Sequence, residues 1–240
     1  MSRPAPAALA LGAVLLAHSP ARARDLYESD DGEYRLTLRS ALKGSWLLAF
    51  PPDDPMLEES LAGAGFFRLR FELSASITRH LSAQIAYEHR ALAASSGGVG
   101  AGLLPRDVLA PFRLAPLDWA IVDAPEYRHR HELDRVYLSL HLDFLELTVG
   151  RQAIGLGRGV LFSAIDLFSP FSPTEVDREW RRGIDAVHAE VRIPELPGLS
   201  ADLIAVFGDV RSGDLTSWAL LGRVRAVLGD VDGEVILGRR

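Results

Sequence analysis

From Tyr34 to Leu48 the even positions read Tyr, Leu, Leu, Ser, Leu, Gly, Trp and Leu. The odd positions read Arg, Thr, Arg, Ala, Lys, Ser and Leu. Apolar and polar side chains alternate with period two over fifteen residues, a pattern that a helix would mix and a strand separates onto its two faces. A chain built this way must find a solvent for each face of a long strand.

The alternation returns along the sequence. Phe67, Leu69, Phe71, Leu73, Ala75 and Ile77 interleave with Arg68, Arg70, Glu72, Ser74, Ser76 and Thr78. After a tight Thr-Arg-His turn, Leu81, Ala83, Ile85 and Tyr87 interleave with Ser82, Gln84, Ala86 and Glu88. Further segments run over Arg135–Leu142, Leu145–Gly150, Val187–Ile193, Leu199–Phe207 and Leu220–Leu228, and Glu234 begins another. The expectation is eight strands and the start of a ninth. Their lengths match the roughly 9–11 residues of a tilted membrane strand better than the strands of a soluble sandwich.

The spacing between them alternates too. Connections at 50–65, 92–132 and 153–182 are long, and those at 78–80, 143–144, 194–198 and 229–233 are short, with a medium one at 209–216. Outer-membrane barrels have short turns on the periplasmic rim and longer loops outside. The fold class expected is therefore all-β: a transmembrane antiparallel up-and-down β-barrel with a structured inward-folding loop. The chain stops in the ninth strand without a C-terminal aromatic residue, and bacterial barrels normally have an even strand number. Residues 24–240 accordingly read as an N-terminal part of a larger barrel.

Residues 1–23 read as a secretory signal peptide: Arg3, the apolar stretch PAALALGAVLLA and the small-x-small Ala21-Arg22-Ala23. Losing Arg3 and Arg22 takes the formal net charge from −6 to −8. An acidic exported chain argues against nucleic acid as a partner. With no cysteine, a disulfide framework, a thiolate zinc site and a thiol nucleophile are excluded. After residue 23 no apolar run is long enough for a membrane helix, so a membrane role would rest on strands.

The stretch ELTVGRQAIGLGRGV (146–160) carries glycines 155, 157 and 159 after a strand. It is not G-x-G-x-x-G, and no helix of ten residues follows, so a dinucleotide site is rejected in favour of glycines with positive φ where the chain leaves the wall. Further on, Ser172-Pro173-Thr174-Glu175 is a capping box opening a short helix that should stop at Gly183. The loop carries Arg158, Asp166, Asp177, Arg178 and Arg182, charges that could narrow a pore.

The segment VGRQAIGLGRGVLFSAIDLFSPFSP followed by DREWRRGIDAVHAEVRI resembles proteobacterial outer-membrane channel proteins of the alginate-export and related porin type, over about Val136 to Ile193. The resemblance implies a strand ending in Gly-Arg-Gln, an Asp- and Pro-containing loop, and a Gly-x-Asp opening the next strand. It places Arg151, Gln152, Asp166, Arg182 and Asp185 at a pore constriction.

On the face expected to line the lumen, Arg35, Arg39, Lys43, Arg68, Arg70, Arg135, Arg151, Arg192, Arg223 and Arg225 outnumber Glu72, Glu88, Glu146, Glu190 and Asp202. That excess points to an anion preference, unless the charges pair into ladders that brace the wall. His129-Arg130-His131 has metal-ligand character but falls in a long polar loop and reads as surface. Histidines 141 and 188 face the lumen without a marked serine or orienting partner. No catalytic residue, cofactor or metal site is expected, and the chain does not read as an enzyme. The expected function is an outer-membrane channel for small, anionic solutes or an acidic polymer, with membrane lipid and solute as partners. The alternatives are a barrel scaffold presenting long outer loops for binding, and an outer-membrane hydrolase.

Overall fold

Every alternating segment forms a strand in the computed structural model, which describes residues 10–11, 15–50, 62–95, 112–156, 181–196, 198–211 and 214–239. The strands are β1 (Ala10–Leu11), β2 (Leu15–Glu28), β3 (Arg35–Phe50), β4 (Ala62–Thr78), β5 (Leu81–Ala94) and β6 (Asp118–Asp123). They continue with β7 (Tyr127–His141), β8 (Leu145–Gln152), β9 (Ile184–Arg192), β10 (Leu199–Arg211), β11 (Asp214–Leu228) and β12 (Val231–Arg239). All join one antiparallel sheet in the order β1-β3-β4-β5-β7-β8-β9-β10-β11-β12, with β2 beside β3 and β6 beside β7. Among the described residues there is no helix, and no pairing joins β12 back to the first strands, so the sheet is not closed.

The register explains why the alternation stays in phase. One row of direct cross-strand partners runs Arg35, Ser76, Ser82, Ser139, Thr148, His188, Ile204, Leu221 and Gly238. The next row runs Leu36, Ala75, Ala83, Leu138, Val149, Val187, Ala205 and Leu220. Partners share a face, so period two in each strand becomes one polar and one apolar face of the whole sheet.

The same rows show a steady stagger. Arg35 is the first residue of β3, whereas Leu221 lies seven residues short of the end of β11 at Leu228, on the same rim and seven strands away. One residue of offset per strand, with about 3.3 Å rise against about 4.8 Å spacing, tilts the strands by roughly 35°. A barrel wall requires tilt and shear of this kind.

Several boundaries differ from expectation. The connection expected at 92–132 contains β6 and the first half of β7. The charges and histidines of residues 127–134 hid strand character because they are paired across the sheet. The connection expected at 209–216 shrinks to residues 212–213 because β10 and β11 run on. In the full chain, β2 covers the second half of the expected leader and pairs with β3 from Leu15↔Trp46 to Glu28↔Arg35. The helix expected after Ser172 lies outside the described residues.

The two faces are inverted relative to a water-soluble sheet. Leu42, Trp46, Phe67, Phe71, Ile85, Leu138, Val149, Leu203, Trp218 and Leu220 are exposed, Leu203 to 54%. On the opposite face Arg68, Arg70, Glu72, Glu88, Glu132, Asp134 and Asp202 are buried, Arg70 to 2%. Soluble proteins seldom expose a contiguous apolar patch of more than a few hundred Å² or bury Arg and Glu without partners.

Candidate functional site: the polar face and its seam

The polar face is organised as cross-strand ion pairs. On β4, β5 and β7, Arg70 Nη1 donates to Asp134 Oδ2 at 2.9 Å and to Glu88 Oε2 at 3.1 Å. Arg68 lies 3.3 Å from Glu88, and Arg90 spans Glu88 at 2.9 Å and Glu132 at 2.6 Å. From the loop before β6, Arg113 Nη1 adds a bond to Glu132 at 3.0 Å. Burial of this many charges is tolerable because each has a partner of opposite sign within hydrogen-bond reach. Small residues stand beside the long ones: Ala41 opposite Arg70, and Ala86 opposite Glu72 and Arg135.

Asp134 occupies this position through a bulge. The β5–β7 register shifts between Ala86 and Tyr87, which face Arg135 and Leu133 and leave Asp134 as the extra residue. Its carboxylate then accepts from Arg70 and from the Gly183 N–H at 2.9 Å, with Arg113 and Arg135 at 3.7 and 3.9 Å. A β carbon on Gly183 would meet the Asp134 carbonyl at 1.9 Å. Gly183 is therefore required for close approach, not for the left-handed cap expected of it.

On β9–β11 the rim-distal half of the same face turns apolar. Ile184, Ala186, Ile204, Val206 and Leu221 are buried there together with Phe112, Ile154 and Leu156. Ile154 and Leu156 immediately follow β8, so the chain leaving that strand folds over the polar-face side of β9–β11. The signal was present as the unbroken apolar run Leu203–Phe207, where alternation fails because the polar-face side, at Ile204 and Val206, is covered by apolar side chains while Leu203 stays exposed.

Arg151 stands where β8 gives way. β8 pairs with β7 from Val136↔Arg151 to His141↔Glu146, and beyond it β6 takes the same side of β7, from Asp118↔Glu132 to Asp123↔Arg128. Arg151, buried to 2%, bridges this seam. Its guanidinium donates to both Asp185 oxygens at 2.8 and 2.9 Å, to Leu133 O at 3.3 Å and to Ala115 O at 2.6 Å. Asp185 in turn accepts from the Leu114 N–H at 2.6 Å. Of the glycines expected to take positive φ after the strand, Gly155 does not, and within β8 Gly150 does (φ 123°), where a β carbon would lie 2.3 Å from the Val136 carbonyl. Gly150 permits the twist that turns Arg151 into the seam.

Of the residues expected at a constriction, Arg151, Gln152 and Asp185 come together at the end of β8. Gln152 Nε2 donates to Thr148 O at 3.1 Å and Ala186 O at 3.2 Å. Arg182 lies within electrostatic range of Glu132. Arg158, Asp166, Asp177 and Arg178 lie outside the described residues, as do Gly157 and Gly159. Arg151 is held by the wall on every side, which fits a tie between wall and loop better than contact with a passing solute.

Of the expected lumen residues, Arg35, Arg39, Lys43, Arg68, Arg70, Arg135, Arg192, Arg223 and Arg225 share the polar face. Arg39 faces Glu72 at 3.6 Å, Arg192 faces Glu190 at 2.8 Å, and Asp202 accepts from both Arg223 and His188 at 2.8 Å. Sequence reasoning missed Glu132, Asp134 and Glu234 as members of this face. It missed Arg90 and Arg113 there as well, so with all five counted and Arg151 withdrawn into the seam the cationic excess falls from five to three. His141 Nε2 meets Ser82 Oγ at 2.9 Å, while its Nδ1 lies 3.8 Å from Glu146 Oε2, beyond hydrogen-bond reach. No family model, curated protein sequence or solved structure matches the chain.

Proposed function

We propose that the chain forms wall of an outer-membrane β-barrel channel that passes small hydrophilic solutes. The observation that carries this reading is the inversion of the faces, apolar side chains exposed and charged ones buried, which suits lipid on one side and a polar interior on the other. Dimensions support it. Tyr27, Tyr34 and Phe144 are exposed near the short-turn rim, and Trp46, Trp119 and Trp218 near the opposite one. Trp46 lies twelve residues beyond Tyr34, which at about 3.3 Å per residue and a tilt of roughly 35° is about 32 Å. An apolar band of about 25 Å flanked by aromatic girdles fits within that height.

The solute class follows from the paired charges. With most arginines matched by carboxylates, the face favours hydrated solutes of either sign and at most a weak anion preference. The test is liposome swelling with sugars and salts of graded size after refolding into vesicles. Swelling that falls with solute size supports a channel. A chain that inserts but passes no solute is a scaffold, the second reading, and a chain that stays in the aqueous phase without lipid or detergent sinks both.

A further inference from the structure

We propose that His89 and His129 form a binding site for a divalent first-row transition-metal ion, on the apolar face near the loop rim. The His-Arg-His motif lies on β7 and not in a loop, so His129 and His131 project on the same side, two residues apart. His89 on β5 is the direct partner of His131, and His129 sits opposite Ala91 one step along. The Nε2 atoms of His89 and His129 face each other at 2.6 Å. Two imidazoles aimed nitrogen to nitrogen must share one proton or one cation.

The surroundings favour the cation. Tyr87 Oη lies 3.3 Å from His89 Nδ1 and 3.2 Å from His131 Nδ1. A histidine whose Nδ1–H is held by an outer partner presents a bare Nε2 lone pair, the arrangement by which metal-ligating imidazoles are fixed in tautomer and orientation. Trp119 packs on the His131 ring with centroids 5.3 Å apart, and His131 meets Tyr87 edge-on at 5.9 Å, so the partner of His89 is itself held. All three histidines are partly exposed. Imidazole nitrogens suit Zn²⁺, Cu²⁺ and Ni²⁺.

Among the described residues no set of three or more side chains already surrounds one point, so the site is a two-nitrogen one completed by water. At metal–nitrogen distances of about 2.0–2.1 Å the two nitrogens part to roughly 3.3 Å for tetrahedral binding, a small rotation of exposed rings. His131 and Tyr87 act as positioning residues.

The experiment is Cu²⁺ titration of the tag-free full chain, refolded in detergent micelles, followed by electron paramagnetic resonance and by quenching of tryptophan fluorescence. One equivalent should bind with superhyperfine splitting from two nitrogens. His89→Gln and His129→Gln should each weaken binding at least about tenfold, and Tyr87→Phe should weaken it about 10- to 100-fold as an outer-shell change. Circular dichroism and heat-dependent gel mobility identify any variant that has not folded. Equal affinity in folded wild type and the folded double variant overturns the proposal. So does the absence of two-nitrogen coupling in the wild-type spectrum, a measurement that needs no variant.

Discussion

Asp134 offers the sharpest test of the ionic network on the polar face. It is buried to 2% and accepts from Arg70 and from the Gly183 N–H, both at 2.9 Å. Asp134→Ala removes one member of a buried pair and strands two donors, a class of change that costs about 3–5 kcal/mol. Arg70 keeps Glu88 at 3.1 Å, which places the loss at the lower end of that range. Asp134→Asn keeps an acceptor for Gly183 but turns an NH2 donor toward Arg70 in place of the second oxygen, so it should cost less than Asp134→Ala only by the bond it keeps, about 1–3 kcal/mol for one buried donor left satisfied. The assay is equilibrium urea unfolding in micelles, read by tryptophan fluorescence. A cycle with Arg70→Met should show coupling between the two positions of about 0.5–3 kcal/mol, as residues in one network do. If Asp134→Ala unfolds within about 0.5 kcal/mol of wild type, the level of an ordinary surface change, the network does not brace the wall and the reasoning fails.

Three further outcomes follow from the same geometry. Gly150→Ala forces a β carbon to within 2.3 Å of the Val136 carbonyl at φ 123°, and should lower the unfolding midpoint, whereas Gly44→Ala meets only ordinary contact and should change it far less. Leu203→Arg places a cation on the exposed apolar face about a third of the way up the wall, and should cost about 2–4 kcal/mol in lipid vesicles if that face meets hydrocarbon, with a much smaller loss if it meets water. In the turn before β3, the Ser29 hydroxyl and the Glu33 N–H both donate to Asp31 and hold its carboxyl below the ordinary carboxylate range. A lowered folded value means the contribution is present above the unfolded value and disappears as pH falls through the folded one. Ser29→Ala should therefore move the Asp31 titration upward in a carboxyl-resolved NMR experiment.

What the sequence made legible was whatever depends on period two. From β3 to β12, facing is a local property, and the residues assigned to each face at Tyr34–Leu48 and Phe67–Thr78 are found there together. What was not legible depends on which strand neighbours which. β6 escaped because Trp119–Val122 is an unbroken apolar run with no alternation, and its place is set by the vacancy beyond Gln152. Glu132 and Asp134 escaped because the charged stretch from Arg128 looks like a solvated loop until Arg90, Arg70 and Arg113 are brought against it. The apolar patch of β9–β11 escaped because Ile204 and Val206 take the parity of polar residues and are covered by Ile154 and Leu156, far from them in the chain.

The seam at Arg151 also has a meaning for how the wall comes together. Its acceptors belong to β7, to the stretch before β6 and to β9, three pieces that hairpin zippering delivers at different times. A neighbour-by-neighbour sheet needs no event that waits for all of them, yet this guanidinium does. The full set of bonds exists only when the central wall is complete, and with any of the three pieces missing the buried guanidinium lacks part of its acceptors. The bonds of Arg151 are thus a local readout of whether β7, β9 and the stretch before β6 have all reached their places.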